Sequence, residues 1–319
     1  MKVIEHLQRA RETLLSYEII PPRRGGNIED IFALVEQLLP FDPPFIDVTS
    51  HAAQVEYEEL PDGTWRRRVI RKRPGTIGLC AAIQNRYNID TVPHLLCRGF
   101  TREETEDALI ELHYLGIHNV MALRGDDPGF RKTITDGRSC NEYAVDLVRQ
   151  IVNMNRGRYL EPDLLDAAPT DFCIGVAGYP EKHFEAPNME RDLRHLKAKV
   201  DAGAHYIVTQ MFFDNRKYFD FVARCRALGI EVPIIPGIKV LSKKTQLQSI
   251  PSRFHVEIPE ELAAEIEAAP PEHVLDVGVE WAIRQCVELM EQRVPCIHFY
   301  IMQDASAVIR VIEGLRKLA

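Results

Sequence analysis

The chain has 319 residues, 45% hydrophobic and 27% charged, with a formal net charge of −8. That composition suits a folded globular protein with its own core, and the mildly acidic balance argues against nucleic acid as the main partner, because neutralising phosphates needs basic surface. The N-terminus, MKVIEHLQRARETL, lacks an apolar signal core, and no run approaches the ~18 apolar residues that span a bilayer, so a cytoplasmic protein with no membrane partner is expected.

Short apolar runs rich in β-branched residues predict strands. They are LLSYEII (14–20), FIDVTS (45–50), TVPHLLC (91–97), HNVMALR (118–124), FCIGVAGY (172–179), YIVTQMF (206–212), VPIIPGI (232–238) and CIHFYIM (296–302). Between them lie helical patterns. NIEDIFALVEQLL places Ile28, Ile31, Phe32, Val35, Leu38 and Leu39 on one face, with Asn27 as cap. TREETEDALIELHYLG opens on a capping box, Thr101 and Glu104, and closes on Gly116. AVDLVRQIVN, NMERDLRHLKAKVDAG, NRKYFDFVARCRALG and ASAVIRVIEGLRKL follow in order. Residues 51–75 read as a long irregular loop with a turn at Asp62-Gly63, and 127–138 and 156–171 as further connections.

Eight strands, each followed by a helix, predict a (β/α)8 barrel, a single domain over 1–319. The other fold considered is an open doubly wound sheet. No GxGxxG turn follows the first strand and no GxxxxGK[ST] loop occurs, which disfavours its nucleotide-binding forms. Cys80, Cys97, Cys140, Cys173, Cys225, Cys286 and Cys296 form no CxxC pair, several sit in apolar runs, and they read as reduced thiols. No metal site is expected.

Barrel enzymes carry their chemistry where the strands end. Here those ends bear Glu18, Thr49, His94, the RGDD of Arg124–Asp127, Tyr179 with His183 and Glu185, Gln210, and His298 with Tyr300. Each alone has an ordinary reading. Glu18 suits a structural ion pair, His94 a satisfied core histidine, and Asp192, His195 and Lys199 at i, i+3 and i+7 a solvated helix stripe. The basic run RRRVIRKR (66–73) suits a solvated loop. Together the polar groups converge on one rim, and two prolines, Pro21 and Pro22, stop the first strand just past Glu18.

The motifs SYEIIPPR, VTS, PHLLC, VMALRGD, AGYPEKHFEA, LKAKVDAGA, TQMFFD, IIPGI and HFYIM, in that order over about residues 14–304, resemble the methylenetetrahydrofolate reductase family. The resemblance implies an FAD-containing barrel that reduces 5,10-methylenetetrahydrofolate to 5-methyltetrahydrofolate. A ping-pong cycle is implied, in which NADH or NADPH reduces the flavin and leaves before the folate takes the hydride. By the same resemblance Glu18 is the general acid and Asp126 the carboxylate beside the flavin. Thr49, Ser50, Ala52, His94, Arg124, Gly125, Asp126, Tyr143, Ala144, Tyr179, His183, Ala186, Asp192, His195 and Lys199 match FAD-binding positions. Gln210, Gln246 and Tyr300 match substrate-binding ones. The chemistry is consistent: opening the methylene bridge puts a proton on the leaving nitrogen, so the acid must hold a proton near neutral pH. Desolvation at an apolar strand end, with no cation nearby, is expected to raise the Glu18 pKa to that end.

Several positions depart from the family pattern. Strand eight reads FYIMQD where FYTLNR is usual, putting Asp304 in place of an arginine that helps bind substrates. SHAAQ replaces a glycine-rich turn after Thr49, and His195 replaces an asparagine. No C-terminal regulatory domain of the kind larger members carry is read in the chain. A homo-oligomer is compatible with the sequence. Two other functions are weighed: a flavoprotein subunit that takes electrons from a protein partner, and a barrel aldolase using Lys239 as a Schiff-base lysine.

Overall fold

The computed structural model describes residues 1–51, 54–70, 73, 75–126 and 137–318. Helix α1 (Val3–Arg9) precedes strand β1 (Leu14–Ile19), α2 (Ile28–Leu38) and β2 (Phe45–Val48). Strands β3 (Gln54–Glu59) and β4 (Trp65–Ile70) come next, then α3 (Thr76–Tyr87), β5 (Asp90–Leu96), α4 (Arg102–Tyr114) and β6 (Asn119–Leu123). The central units are α5 (Ala144–Met154), β7 (Cys173–Gly178), α6 (Met189–Asp201), β8 (Tyr206–Met211), α7 (Asn215–Ala227) and β9 (Ile234–Ile238). Three helices, α8 (Gln246–Phe254), α9 (Glu260–Ala268) and α10 (Val274–Glu291), separate β9 from β10 (Cys296–Met302), and α11 (Ser306–Arg316) follows.

Eight parallel strands close a barrel in the order β1-β10-β9-β8-β7-β6-β5-β2, the predicted (β/α)8 architecture. Its strands are buried on both faces, as parallel strands covered by helices must be. The inward layers near the N-terminal end hold Phe45, Val92, Met121, Cys173, Tyr206, Ile235 and Cys296. Helix α1 plugs that end: Val3 is fully buried there, its N–H donates to Asn119 Oδ1 at 2.7 Å, and Asp90 takes both the N-terminal ammonium and His6. A larger apolar layer lies between strands and helices. Burying a Leu or Ile there contributes roughly 1.5–3 kcal/mol. A third cluster, Leu241, Ile250, Leu262, Ile266 and Val274, docks α8–α10 onto the ends of β8 and β9.

The expected caps form. Asn27 accepts from Glu29 N–H, and Thr101 and Glu104 make a reciprocal box at the start of α4. Gly116 takes a left-handed φ of 68° just beyond that helix. The irregular loop expected over 51–75 is corrected: residues 54–70 form an antiparallel hairpin, with Val55 opposite Val69 and Tyr57 opposite Arg67. Its turn is the predicted Asp62-Gly63, where Gly63 has φ 77° and Asp62 accepts from Thr64. Alternation of apolar and charged residues in β3, with a Glu58–Arg66 pair across to β4, supports the strands where the charge density suggested a loop. Arg73 donates to Pro21 O and Thr76 to Thr49 O, which tie the return of the hairpin to the barrel mouth. Among the described residues, no helix is long and apolar enough to cross a membrane. All seven cysteines are free thiols.

Candidate active site

The barrel register brings the site together at the C-terminal mouth. Glu18 on β1 pairs in register with Asp47 on β2 and with Tyr300 on β10. Asp47 pairs in turn with Val92, two residues before His94 on β5. Side chains two apart share a strand face, so Ser16 and Glu18 line the interior together. His94 Nε2 lies 3.2 Å from Asp47 Oδ2 and 3.6 Å from Glu18 Oε2. On the other side of Glu18, His298 Nε2 stands 4.0 Å away and its Nδ1 meets Ser16 Oγ at 2.9 Å. Asp47, His94, Ser16 and His298 are buried, while Glu18 keeps 14% of its side chain exposed.

These neighbours overturn the expected pKa of Glu18. Burial is the largest influence and pushes the carboxyl up, as anticipated. His298, His94 and His51 together outweigh it, and Glu18 lies below its ordinary value. The sequence expectation did not bring these histidines beside Glu18: His94 and His298 arrive from β5 and β10, and His51 from just past β2. His94 moves the opposite way: burial pushes it down, but the Asp47 hydrogen bond and the charges of Glu18 and Asp47 carry it above its ordinary value. His94 thus lies between the Glu18 and Asp47 carboxyl groups, which favour its charged form.

The remaining sequence-derived residues fall around this centre. Thr49 ends β2, buried, with its hydroxyl 3.0 Å from His51 Nε2. Ser50 and His94 border a cavity of about 310 Å³ that runs toward the first turns of α3 and α4. Ala52 lies outside the described residues. Arg124, Gly125 and Asp126 follow β6; Gly125 has φ 83°, a left-handed turn that favours glycine, and Asp126 is exposed. The Arg124 guanidinium lies 4.9 Å over the ring of Tyr143, the residue preceding Ala144 at the start of α5, and pairs with Glu185. Arg124 Nε is buried without a hydrogen-bond partner among the described residues.

Tyr179 ends β7 and meets His183 edge-on at 4.7 Å. His183 stacks on Phe184 and Phe184 on His255. The loop is fixed from α6, where Asp192 accepts the His183 N–H at 2.9 Å. Lys182 Nζ donates to Ala186 O at 2.7 Å. Lys199, also on α6, donates to Ala177 O at 2.6 Å, and burial pushes its ammonium down to about 8 against the pull of Asp192. His195 is exposed on the same helix.

Gln210 ends β8, with its Oε1 accepting the Met211 N–H. Gln246 Oε1 accepts from the Ser242 and Lys243 N–H groups, which fastens the loop after β9. Tyr300 donates to Thr209 O. Two residues outside the sequence-derived set reach the site, Asp47 and His51, and His298, read at the end of strand eight without a role, reaches it too. Lys239, weighed as a Schiff-base lysine, is also there. Its Nζ donates to Tyr300 O at 2.8 Å, and burial holds it below its ordinary value while Glu18 and Asp304 oppose. Asp304 is exposed and accepts the Ser306 N–H at the start of α11.

Fold and mouth thus define a (β/α)8 barrel with a buried acid–imidazole cluster at the end where barrels carry their sites. The family model described as methylenetetrahydrofolate reductase matches residues 2–316. The chain belongs to the methylenetetrahydrofolate reductase family. Among similar proteins, methylenetetrahydrofolate reductase 1 of Schizosaccharomyces pombe is 33% identical over 303 residues, covering 94% of this chain and 45% of that protein. The 5,10-methylenetetrahydrofolate reductase of Pectobacterium carotovorum is 31% identical over 294 residues, covering 92% of this chain and 86% of that protein. The chain spans about half the length of the eukaryotic relatives it matches. An uncharacterized protein from Clostridium thermocellum, described as binding two copies of 5-methyl-5,6,7,8-tetrahydrofolic acid, superposes with a TM-score of 0.58 at 11% identity. It covers 99% of this chain and 100% of its own, a likeness of fold.

Proposed function

We propose that the chain reduces 5,10-methylenetetrahydrofolate to 5-methyltetrahydrofolate, with FAD as cofactor and NAD(P)H as electron donor, in a ping-pong cycle. The observation that carries this reading is Glu18: a carboxyl group held at the barrel mouth between two imidazoles, in a chain of this family. The residues present fit FAD. The buried, unpartnered Nε of Arg124 lies beside the N-terminus of α5, where free backbone N–H groups and the helix dipole favour a diphosphate. Arg124, Gly125, Tyr143 and Ala144 would hold that part. Tyr179, His183, Ala186, Asp192, His195 and Lys199 would hold the nucleotide half, and Thr49, Ser50, Ala52, His94 and Asp126 the ring. When bound, FAD supplies two-electron hydride chemistry that no side chain offers.

The protein's own part is protonation and placement. Glu18 delivers a proton to the leaving nitrogen as the methylene bridge opens: the C–N bond breaks, its electron pair goes to nitrogen, and an N–H forms. The iminium cation so formed is stabilised by Asp126. Gln210, Gln246 and Tyr300 orient the folate. Relatives carry both NADH and NADPH in their names, so donor choice is a property of each chain. The test is direct: the purified protein carries a flavin absorbing near 450 nm and oxidises NAD(P)H in step with formation of 5-methyltetrahydrofolate. A colourless protein that fails to take up FAD refutes the reading.

A second reading, electron delivery by a protein partner, draws on the β3–β4 hairpin. It leaves the barrel beside Thr49 and exposes Tyr57 and Trp65 by 63% and 62%, next to Arg66–Arg68. Steady NAD(P)H oxidation by the pure protein separates the two readings.

A further inference from the structure

Asp47 is a second acid beside His94. It sits mid-strand on β2, 1% exposed, and its one hydrogen-bond partner is His94. Its Oδ1 has none. A buried carboxylate costs several kcal/mol unless it is paired, and among the described residues no lysine or arginine forms an ion pair with this one. The bland account is a satisfied core pair. Two features speak against it. The same His94 Nε2 that faces Asp47 also faces Glu18, so one N–H lies between two carboxylates, 3.2 Å from one and 3.6 Å from the other. And the second imidazole beside Glu18, His298, is backed by the Ser16 hydroxyl instead of an acid. The cluster is lopsided: the imidazole on the His94 side of Glu18 is backed by a second carboxyl group, and the one on the His298 side is not.

We propose that Asp47 and His94 form a proton-holding pair behind Glu18, in which His94 Nε2 carries the proton that Glu18 passes to the folate nitrogen in each turnover and Asp47 is the positioning residue that keeps it there. This rests on the reading of Glu18 as the acid. The balance is simple. Methylene reduction takes up one hydride and one proton. The proton leaves His94 Nε2 for Glu18 Oε2, then Glu18 for the nitrogen, and water at the mouth recharges His94. Asp47 holds the ring so that its N–H faces Glu18.

The surrounding ionisable groups leave this role to His94. Near Glu18 stand His298 and Tyr300 of β10, Lys239 after β9 and His51 after β2. Lys239 is committed to Tyr300 O, and burial lowers His51. Asp126 and Arg73 face His51 in turn. Near Asp47 lie Cys80, Tyr206, Cys296 and Tyr300, all raised by burial and therefore neutral across the working range.

The experiment uses the FAD-loaded full chain, reduced and then mixed with methylenetetrahydrofolate in a stopped-flow instrument from pH 6 to 9. In the wild type the rate of flavin reoxidation is expected to fall at high pH, with a midpoint above the ordinary histidine value near 6.5. Asp47→Asn is expected to move that midpoint down by about one pH unit or more. It is also expected to slow reoxidation about 10- to 100-fold more than it slows flavin reduction by NADH, short of the loss for the acid itself. An Asp47→Asn midpoint equal to the wild type overturns the proposal. If that variant does not fold, the wild-type profile decides alone: a rate flat from pH 6 to 9 overturns it. Glu18→Gln separates the two levels. Normal reoxidation there refutes Glu18 as the acid, whereas a severe loss there with an unmoved Asp47→Asn midpoint refutes only the proton-holding pair.

Discussion

Glu18→Gln tests the central assignment, and its consequences can be sized from the geometry. With opposite charges 3.6 Å apart, the gross attraction between His94 and Glu18 is about 4–5 kcal/mol at an effective dielectric near 20. Much of that is offset by desolvation of both groups. Glutamine keeps the shape and can still accept a hydrogen bond from His94, and Asp47 stays in place to pair with the imidazole. The fold should therefore lose only about 1–2 kcal/mol. The chemistry should lose far more. A general acid contributes about 10²–10⁴-fold, or roughly 2.7–5.5 kcal/mol of barrier, and glutamine has no proton to give. Flavin reduction by NADH needs no proton at the folate nitrogen and should persist. Stopped-flow measurement of the two half-reactions, with flavin content and melting temperature as controls, decides the matter. A folate half-reaction within a few-fold of wild type refutes the acid. Equal losses in both half-reactions, with lost flavin, make Glu18 a structural residue instead.

Other expectations follow from single contacts. Lys199→Ala removes a buried ammonium set for the nucleotide half of the cofactor, and FAD should dissociate at least about tenfold more readily in equilibrium dialysis, as the loss of one charge-assisted bond implies; unchanged affinity counts against that placement. Asp126→Asn removes an anion from the flavin's proposed surroundings, so the midpoint potential should rise in a dye-linked titration, and a fall would sink the assignment. Gly278→Ala places a Cβ 1.8 Å from Leu241 O, well inside the 3.0 Å limit of real Cβ contacts. Overpacking of this kind costs about 1–3 kcal/mol, so the melting temperature should drop by several degrees and the KM for folate should rise as the loop bearing Gln246 shifts. Asp90 is the group to watch in acid: burial pushes it up, but His6 and the N-terminal ammonium hold its folded value below normal. Its contribution is present above the unfolded value near 3.9 and lost as pH falls through the folded one, so Asp90→Asn should lower the melting temperature at pH 7 and leave it nearly unchanged at the acid extreme.

The barrel was legible because each inner strand is a short, doubly buried apolar run, and such runs are visible without partners. Their ends fell within two residues of the observed strands. What escaped was structure stabilised by context. The β3–β4 hairpin exposes Arg66–Arg68, Glu58 and Glu59, and that run of charge reads as a loop. Helix α3 reads TIGLCAAIQNRY, and only Leu79, Cys80 and Ile83 of it are buried, too few to mark a stripe. At the site, Glu18 and His94 stood out as polar residues in apolar strands. Asp47 gave the same signal in FIDVTS and was passed over because it lies before the strand's end. Its importance comes from register: β1, β2 and β5 lie side by side, which no single run discloses. The charge of Glu18 was missed for the same reason, since the three histidines that lower it come from positions 51, 94 and 298.

On the proposed reading, an acid that rests ionised raises the question of how it acts as an acid at all. The position of Glu18 answers it. Its carboxyl is 14% exposed at the mouth, and burial is already the largest single influence on it, opposed by the histidines. A folate stacked over the mouth removes the remaining water, which strengthens the effect of burial and leaves the imidazoles where they are. Each pKa unit so gained corresponds to about 1.4 kcal/mol, and every such gain favours transfer of the proton from His94 to Glu18. A nicotinamide arriving first meets an ionised carboxylate, which favours the cation that hydride loss creates. The same residue thus carries opposite charge in the two halves of a ping-pong cycle, and the substrate, through the water it displaces, sets which.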